Sequence, residues 1–199
     1  YLINELGKNW DSGVSSLYFT YKQDENGNWK FYGSPVWDYD NSLGNAKGVE
    51  WDLGNIGVND YEQYSGWWCK YKDKGKNSSS TNNVMNLISR NKNVIKAAPQ
   101  VWFEDFVPAL KTFMSSGVSE GEIYSSDVYY NYLKGSAEMN YKSGWLLNTG
   151  SWIADHSKLN VATFDYSTGK YTVSNTVTKY SNDFDGMYNY CADWLTSRA

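Results

Sequence analysis

The stretch NWDSGVSSLYFTYKQDENGNWKFYGSPVWDYD, residues 9–40, decides the predicted fold of this chain. Within it, aromatic and β-branched residues alternate with polar ones over residues 17–21 and 29–37, a period of two that is typical of strands. The residues between them, 24–28, are Asp, Glu, Asn and Gly, which favour turns. The stretch therefore predicts a β-hairpin with acidic residues just outside both of its ends.

Outward from this hairpin, the chain predicts mainly helices. Residues 1–8 are expected to form the last turns of a helix that ends near Gly7. Apolar residues recur at helical spacing over residues 84–88, 101–113, 120–147 and 177–195. Pro108 should kink the second of these helices or bound its start, and a short hairpin is expected around residues 167–169. The predicted fold class is α+β, with a strand pair first and a mainly helical half after it.

Composition excludes several classes of function. The 199 residues are enough for one domain with a sizeable core. The net charge of -4 provides no basic surface for nucleic acid or an anionic membrane, and no apolar run is long enough to cross a bilayer. The single histidine, His156, is predicted to be structural, so carboxylates must carry any catalysis. Cys69 and Cys191 are either two buried thiols, the favoured reading, or one disulfide.

Two segments show no regular pattern. Residues 38–66 are rich in Gly, Asn and Asp and are predicted to be a long irregular stretch, a type that is usually functional or disordered. Residues 70–83 are polar and of low complexity, so we expect a flexible loop. The chain starts at Tyr1 inside a predicted helix, and we therefore expect it to begin within a longer domain.

The acids at the two ends of the predicted hairpin form the candidate site. Because a hairpin returns the chain to its starting point, Asp11 and Asp38 are expected to face one cleft. Phosphoryl transfer needs one acidic group near the attacking hydroxyl and another that holds a divalent metal against the nucleotide phosphates. The alternative is that Asp11, Asp38 and Asp40 are capping or turn residues, and Trp37 is expected to lie in the core.

Two other acidic motifs are predicted to be structural. Residues 24–28 imitate the opening of a calcium loop, but Trp29 replaces the required Gly and Pro35 stands where a bidentate Glu belongs. The sequence Asp-Phe-Asp-Gly at residues 183–186 lies in the last helical pattern, with Phe184 expected to face inward. We expect a hairpin turn and a piece of helix at these positions.

Several short motifs surround the hairpin in a fixed order. They are Asn4-Glu5-Leu6, Asn9-Trp10-Asp11, Tyr18-Phe19, Pro35-Val36-Trp37-Asp38-Tyr39-Asp40 and Gly44-Asn45. This order resembles the N-E-L, N-x-D and P-x-W-D-x-D-x-x-x-G-N pattern of CotH-type kinase-like domains, a secreted, protein-kinase-related family first known from bacterial spore coats. The resemblance is specific over residues 1–45. Weaker similarity continues to the terminal Trp194-Leu195-Thr196-Ser197-Arg198.

The resemblance implies an architecture and a set of roles. Residues 1–199 would be the C-terminal, catalytic part of a single protein-kinase-like domain, similar to a kinase C-lobe. Asp11 would be the catalytic residue that orients or deprotonates the acceptor hydroxyl. Asp38 would be a metal ligand, and Asp40 a second ligand or a partner of the first.

One position departs from the family pattern. Family members carry an amide residue five positions after the catalytic Asp, where this chain has Ser16, and a hydroxyl is a poorer metal ligand than an amide carbonyl. The second metal site is therefore expected to be weakened, to move to Asn41 or Asn45, or to belong to a member that binds nucleotide without efficient transfer.

The implied function is an ATP-dependent protein kinase that uses Mg or Mn and acts on Ser or Thr hydroxyls of a protein substrate. The implied location is secreted or at the bacterial cell surface. No Gly-rich phosphate loop or Lys–Glu pair precedes Asp11. We therefore expect these parts to belong to an upstream half of the same domain, which would be a partner of this chain. Without that half, the chain is expected to be inactive.

A second hypothesis comes from the 10 Trp and 18 Tyr residues. Aromatic faces suit sugar rings, so the chain would instead be a non-catalytic carbohydrate-binding or cell-surface interaction module. Many of these aromatic residues lie in helical patterns, which favours core packing as their use. A shared cleft that holds a metal between Asp11 and Asp38 would favour the first hypothesis, and an exposed row of Trp faces would favour the second.

Overall fold

The computed structural model describes residues 1–9, 16–33, 35–40, 42–45, 64, 66, 84–118, 124–143, 159–165, 167–168, 170–177, 180–181 and 183–199. These residues form helices and two antiparallel hairpins, so the predicted α+β class is confirmed. The predicted loop at residues 70–83, as well as Asp11, Asn41, Cys69 and His156, lies outside the described residues.

The first hairpin pairs strand β1, Phe19–Gln23, with strand β2, Trp29–Gly33. In the turn between them, one carboxylate oxygen of Asp24 accepts hydrogen bonds from the N–H groups of Asn26 and Asn28, both at 2.9 Å. The predicted hairpin and its turn are therefore confirmed. Strand β2 ends at Gly33 rather than at residue 37, because Pro35 has no N–H to offer the ladder.

Among the residues that the structure describes, the elements that follow are two short helices, a π-helical segment, three further helices and a second hairpin. They are α2 Val84–Ser89, α3 Lys92–Val101, the π-helical segment Trp102–Phe106, α4 Val107–Met114, α5 Ser126–Lys142, β3 Leu159–Asp165, β4 Lys170–Val177 and α6 Phe184–Arg198, after the N-terminal helix α1 Leu2–Gly7. The predicted second hairpin and the predicted end of α1 at Gly7 are confirmed.

Pro108 lies in the first turn of α4. This agrees with one of the two predicted alternatives, that Pro108 bounds the start of a helix. A proline ring displaces the carbonyl four residues earlier, here that of Glu104. The π-helical segment directly before α4 widens the helix at this point, and the N–H of Val107 donates to the carbonyl of Trp102, five residues back.

The last helix starts later than predicted. Val177 is not part of it but is the final residue of β4, paired with Leu159 across the second hairpin. Asp183 caps the helix, and its carboxylate accepts from the N–H of Gly186 at 2.8 Å. Phe184 is half-buried and stacks on Tyr130 of α5, with ring centroids 5.5 Å apart.

The core joins α6 to α4 and to the N-terminal part of the chain. Its buried members are Leu110, Tyr180, Tyr190, Trp194 and Leu195, with Leu6, Leu43, Phe113, Met114 and Cys191 packed against them. Cys191 is a free thiol, in line with the favoured reading, and burial raises its pKa to about 11. Within the described part of the chain, no helix combines the length and apolar character needed to cross a membrane.

Candidate functional site

Two residues of the predicted metal site meet at the open end of the first hairpin. The hydroxyl of Ser16, just before β1, donates to the carboxylate oxygen Oδ2 of Asp38, just after β2, at 2.9 Å. Ser16 is half-buried and Asp38 is exposed. The hairpin thus brings together side chains 22 positions apart.

Both residues adopt a backbone conformation that is uncommon outside glycine. Ser16 has φ 51° and Asp38 has φ 59°, and two nearby residues, Lys8 and Leu43, have φ 46° and 52°. The left-handed region costs an ordinary residue roughly 1–2 kcal/mol. Such conformations persist only where surrounding contacts hold them, and they concentrate at functional sites.

The other predicted ligands are placed differently. Asp40 is exposed, and its main-chain carbonyl accepts from the side-chain amide of Asn45 at 2.6 Å. The side-chain nitrogen of Asn45 therefore helps to hold the acid-bearing segment. Asn45 is one of the two amide residues expected to take over the second metal site from Ser16. Asp11 and Asn41 lie outside the described residues, so their predicted roles stay predictions.

The acid-bearing segment, residues 35–40, is held against helix α1. The hydroxyl of Tyr39 donates to Oδ1 of Asn4 at 2.8 Å, and the N–H of Leu43 donates to the carbonyl of Gly7 at 2.7 Å. A Cβ added at Gly7 would lie 3.3 Å from the Cβ of Ser42, so a glycine permits this close approach. Helix α1 therefore sets the position of the acids.

Helix α1 is in turn held by the end of the chain. The carbonyl groups of a last helical turn have no partner within the helix and need donors from elsewhere. The indole N–H of Trp194 donates to the carbonyl of Leu6 at 3.4 Å. The guanidinium of Arg198 donates to the carbonyls of Glu5, Tyr64 and Gly66 at 2.5, 2.8 and 2.6 Å.

The N-terminal motif is buried rather than open to a ligand. Asn4, Glu5 and Asn9, which carry the first part of the family resemblance, are all buried, and the carboxylate of Glu5 accepts from the hydroxyl of Tyr1 at 2.9 Å. Lys8 is 0% exposed and has the left-handed conformation that ends α1. These residues therefore support the site through buried contacts.

Sequence reasoning missed the parts played by Tyr39 and Arg198. The only signal for Tyr39 is its place between two acids, and the only signal for Arg198 is the terminal motif. Both side chains act through hydrogen bonds to distant groups, which no local pattern encodes.

The first hairpin carries an exposed aromatic face, formed by Phe19, Tyr21, Trp29 and Phe31. These four side chains alternate along their strands, so they lie on one side of the sheet. Tyr21 stacks on Trp29 with centroids 5.0 Å apart and contacts Phe31 at 4.6 Å. Trp29 is 59% exposed and Phe31 74%.

Trp37, which was expected in the core, is also 61% exposed. That expectation was wrong, because the segment after β2 leaves the sheet and turns towards α1 through Tyr39 rather than through Trp37.

The oxygen donors at the hairpin base fit a magnesium or manganese ion. Mg²⁺ is typically bound through one or two carboxylates and completes its coordination with phosphate oxygens and water. Asp38 supplies an exposed carboxylate, and Ser16 a hydroxyl beside it. Among the described residues, no group of three or more His, Cys, Asp or Glu side chains is gathered to hold a metal.

Comparisons of the chain with protein-family models, with curated proteins and with solved structures find no match. The resemblance to CotH-type domains rests on the motifs quoted above and stays a prediction.

Proposed function

We propose that this chain is the acid-bearing, C-lobe-like part of a CotH-type kinase-like domain that transfers the γ-phosphoryl group of ATP to Ser or Thr hydroxyls of a protein. The observation that carries the proposal is the contact between Ser16 and Asp38. In protein kinases, the catalytic-loop amide and the metal-binding Asp lie at the two ends of this kind of hairpin and act on the same metal ions. By the resemblance to CotH-type domains, Ser16 and Asp38 would occupy the corresponding positions.

In this proposal the chain's own residues divide the work. Asp38 holds the metal ion, which when bound neutralises charge on the nucleotide phosphates. The hydroxyl of Ser16 donates to one oxygen of the Asp38 carboxylate and would so help to fix the orientation in which Asp38 holds the ion. Asp40 serves as a second ligand or as a partner of Asp38, and Asp11 orients or deprotonates the acceptor hydroxyl.

The test is metal-dependent binding of ATP, measured by calorimetry with Mg²⁺ or Mn²⁺. Because the proposal places the phosphate-binding half upstream of residue 1, the experiment uses protein that includes that half. Asp38→Asn should abolish binding, since it removes the charge but keeps the size of the side chain. Glu25→Gln is the matched control, because Glu25 is an exposed acid in the turn at the opposite end of the same hairpin.

Loss of binding in Asp38→Asn with normal binding in Glu25→Gln would support the kinase proposal. Phosphoryl transfer with an Asp11→Ala control would then follow. If the unaltered protein binds no nucleotide with either metal, the proposal is rejected.

The exposed aromatic face favours the second candidate, a carbohydrate-binding or cell-surface interaction module. Rings that are more than half exposed are available to a partner, and exposed apolar patches often mark interaction sites. Affinity electrophoresis in gels that contain bacterial cell-wall or other polysaccharides would test it. Trp29→Ala with Phe31→Ala should abolish retardation of the protein, and Asp38→Asn should leave it unchanged. The kinase proposal predicts that neither the unaltered protein nor its variants are retarded.

A further inference from the structure

We propose that Tyr39 is a positioning residue for the metal-binding acid Asp38, through the hydrogen bond that joins its hydroxyl to Asn4 of helix α1. The inference rests on the proposed function, because it concerns the geometry of the same metal site. Tyr39 lies between Asp38 and Asp40, yet the two acids are exposed while Tyr39 is half-buried. Its side chain is thus the one in this triplet that is turned towards the protein.

The partner of Tyr39 is fixed in place. Asn4 is 7% exposed, and its side-chain oxygen lies 2.8 Å from the Tyr39 hydroxyl, across 35 residues of sequence. The helix that carries Asn4 is held by donors from Trp194, Arg198 and Leu43. The bond to Asn4 therefore joins the acid-bearing segment to a helix that is itself held by several hydrogen bonds from other parts of the chain.

Asp38 has an unfavourable backbone conformation that support at Tyr39 would help to hold. Its left-handed conformation, φ 59°, is unfavourable for a residue with a Cβ. Its hydrogen bond from Ser16 is exposed, so water competes for both partners. Tyr39 restrains the chain at the next residue, and its carbonyl is held in addition by the hydroxyl of Ser42 at 2.5 Å.

A purely structural role makes a different prediction. Tyr39→Phe removes one hydroxyl and keeps the ring. If Tyr39 only packs, the variant loses some stability but binds metal and nucleotide normally once folded. If Tyr39 positions Asp38, the folded variant binds the metal less tightly, because the carboxylate is held in its productive orientation for less of the time.

The experiment measures Mn²⁺ affinity in the presence of ATP by electron paramagnetic resonance, on protein that includes the upstream half and well below its melting temperature. Tyr39→Phe should weaken Mn²⁺ binding about fivefold, the effect of one hydrogen bond. Tyr18→Phe is the control, since Tyr18 is exposed next to the same hairpin and should bind like the unaltered protein. Asp38→Glu keeps a carboxylate and should bind Mn²⁺ weakly, so the double variant with Asp38→Glu should be no weaker than Asp38→Glu alone, because Tyr39 acts through Asp38.

Two results would overturn the inference while the kinase proposal stands: unaltered Mn²⁺ affinity in Tyr39→Phe, or a loss that adds to that of a weakly binding Asp38 variant. If Tyr39→Phe fails to fold, Ser42→Ala provides the second test, since it removes the other restraint on Tyr39 and should weaken binding in the same direction. If the unaltered protein binds no Mn²⁺, the proposed function fails, and the positioning role fails with it.

Discussion

Arg198, in the last turn of the last helix, donates a hydrogen bond to the main-chain carbonyl of Glu5 in the first helix, 193 positions away. The same guanidinium donates to the carbonyls of Tyr64 and Gly66, so one side chain joins three segments of the chain. Helix α1 has only six residues, and a helix this short is not stable without tertiary contacts. The position of the acid-bearing segment thus depends on the C-terminal residues.

Arg198→Ala should therefore lower the free energy of unfolding by about 3 kcal/mol, because several carbonyl groups lose a charged donor. Urea denaturation followed by circular dichroism measures this change. Lys111→Ala is the control, since Lys111 is an exposed cation near the end of α4, and it should stay within about 0.5 kcal/mol of the unaltered protein. Equal effects of the two substitutions would contradict the assigned role of Arg198.

Ser16→Asn should tighten metal binding, by about fivefold, because an amide oxygen replaces a hydroxyl beside Asp38. Asn also tolerates the left-handed conformation that Ser16 adopts better than most residues do. Ser16→Ala should have the opposite effect, since the Asp38 carboxylate loses its hydrogen bond. Calorimetry of Mn²⁺ with ATP measures both changes, and the same affinity in all three proteins would remove Ser16 from the site.

Gly44→Ala should destabilise the protein strongly. Gly44 has φ +79°, and a Cβ built there would lie 1.8 Å from the hydroxyl oxygen of Tyr190 in α6. Gly27→Ala is a matched control, because Gly27 has φ +78° in the hairpin turn with no atom within 4 Å of an added Cβ. We expect a loss of about 1 kcal/mol for Gly27→Ala from backbone strain alone, and of about 3 kcal/mol or more for Gly44→Ala. Thermal unfolding of both variants decides the point.

Acid should weaken the second hairpin through Asp165. Hydrogen bonds from the side chains of Ser167 and Thr168 lower the pKa of this carboxyl from 3.8 to about 2. Because the folded-state value lies below the unfolded one, the carboxylate stabilises the protein above about pH 4 and this contribution is lost as the pH falls towards 2. Urea titrations across this range should show a shallower pH dependence for Asp165→Asn, and an unchanged slope would refute it.

Cys191 should react slowly with thiol reagents while the protein is folded. Burial raises its pKa to about 11, so the reactive thiolate is scarce at pH 8. In a Cys69→Ser background, alkylation should be roughly a hundredfold slower than for a free cysteine, and should reach the free rate in denaturant. Fast alkylation of the native protein would show that Cys191 is accessible.

Local patterns were sufficient to predict the elements with strong sequence signals. The first hairpin follows from alternating residues and the turn chemistry of Asp24 and Gly27. The contact between Ser16 and Asp38 was not itself predicted, although a hairpin returns the chain to its starting point. The amphipathic pattern of α6 was also sufficient to predict a helix. It wrongly included Val177, because a single apolar residue fits both the helical and the strand period. Pairing with Leu159 decides that position, and pairing is not a local property.

The support of the site was beyond local reasoning. The bonds from Tyr39 to Asn4 and from Arg198 to Glu5 cross 35 and 193 positions, and each joins groups that occur throughout any sequence. The aromatic face was predicted as strand but not as exposed surface, since alternation shows which side chains share a face and not what covers it.

The order of biosynthesis determines when the bond between Arg198 and Glu5 can form. A ribosome makes the N-terminal residues first, and Trp194 and Arg198 are added 188 and 193 positions after the residues they contact. Contacts of such long range form late and slow the folding of a domain. Truncated products that lack Trp194 and Arg198 would carry an unsupported α1. They would not hold the acid-bearing segment in place, and their looser fold would expose them to proteolysis.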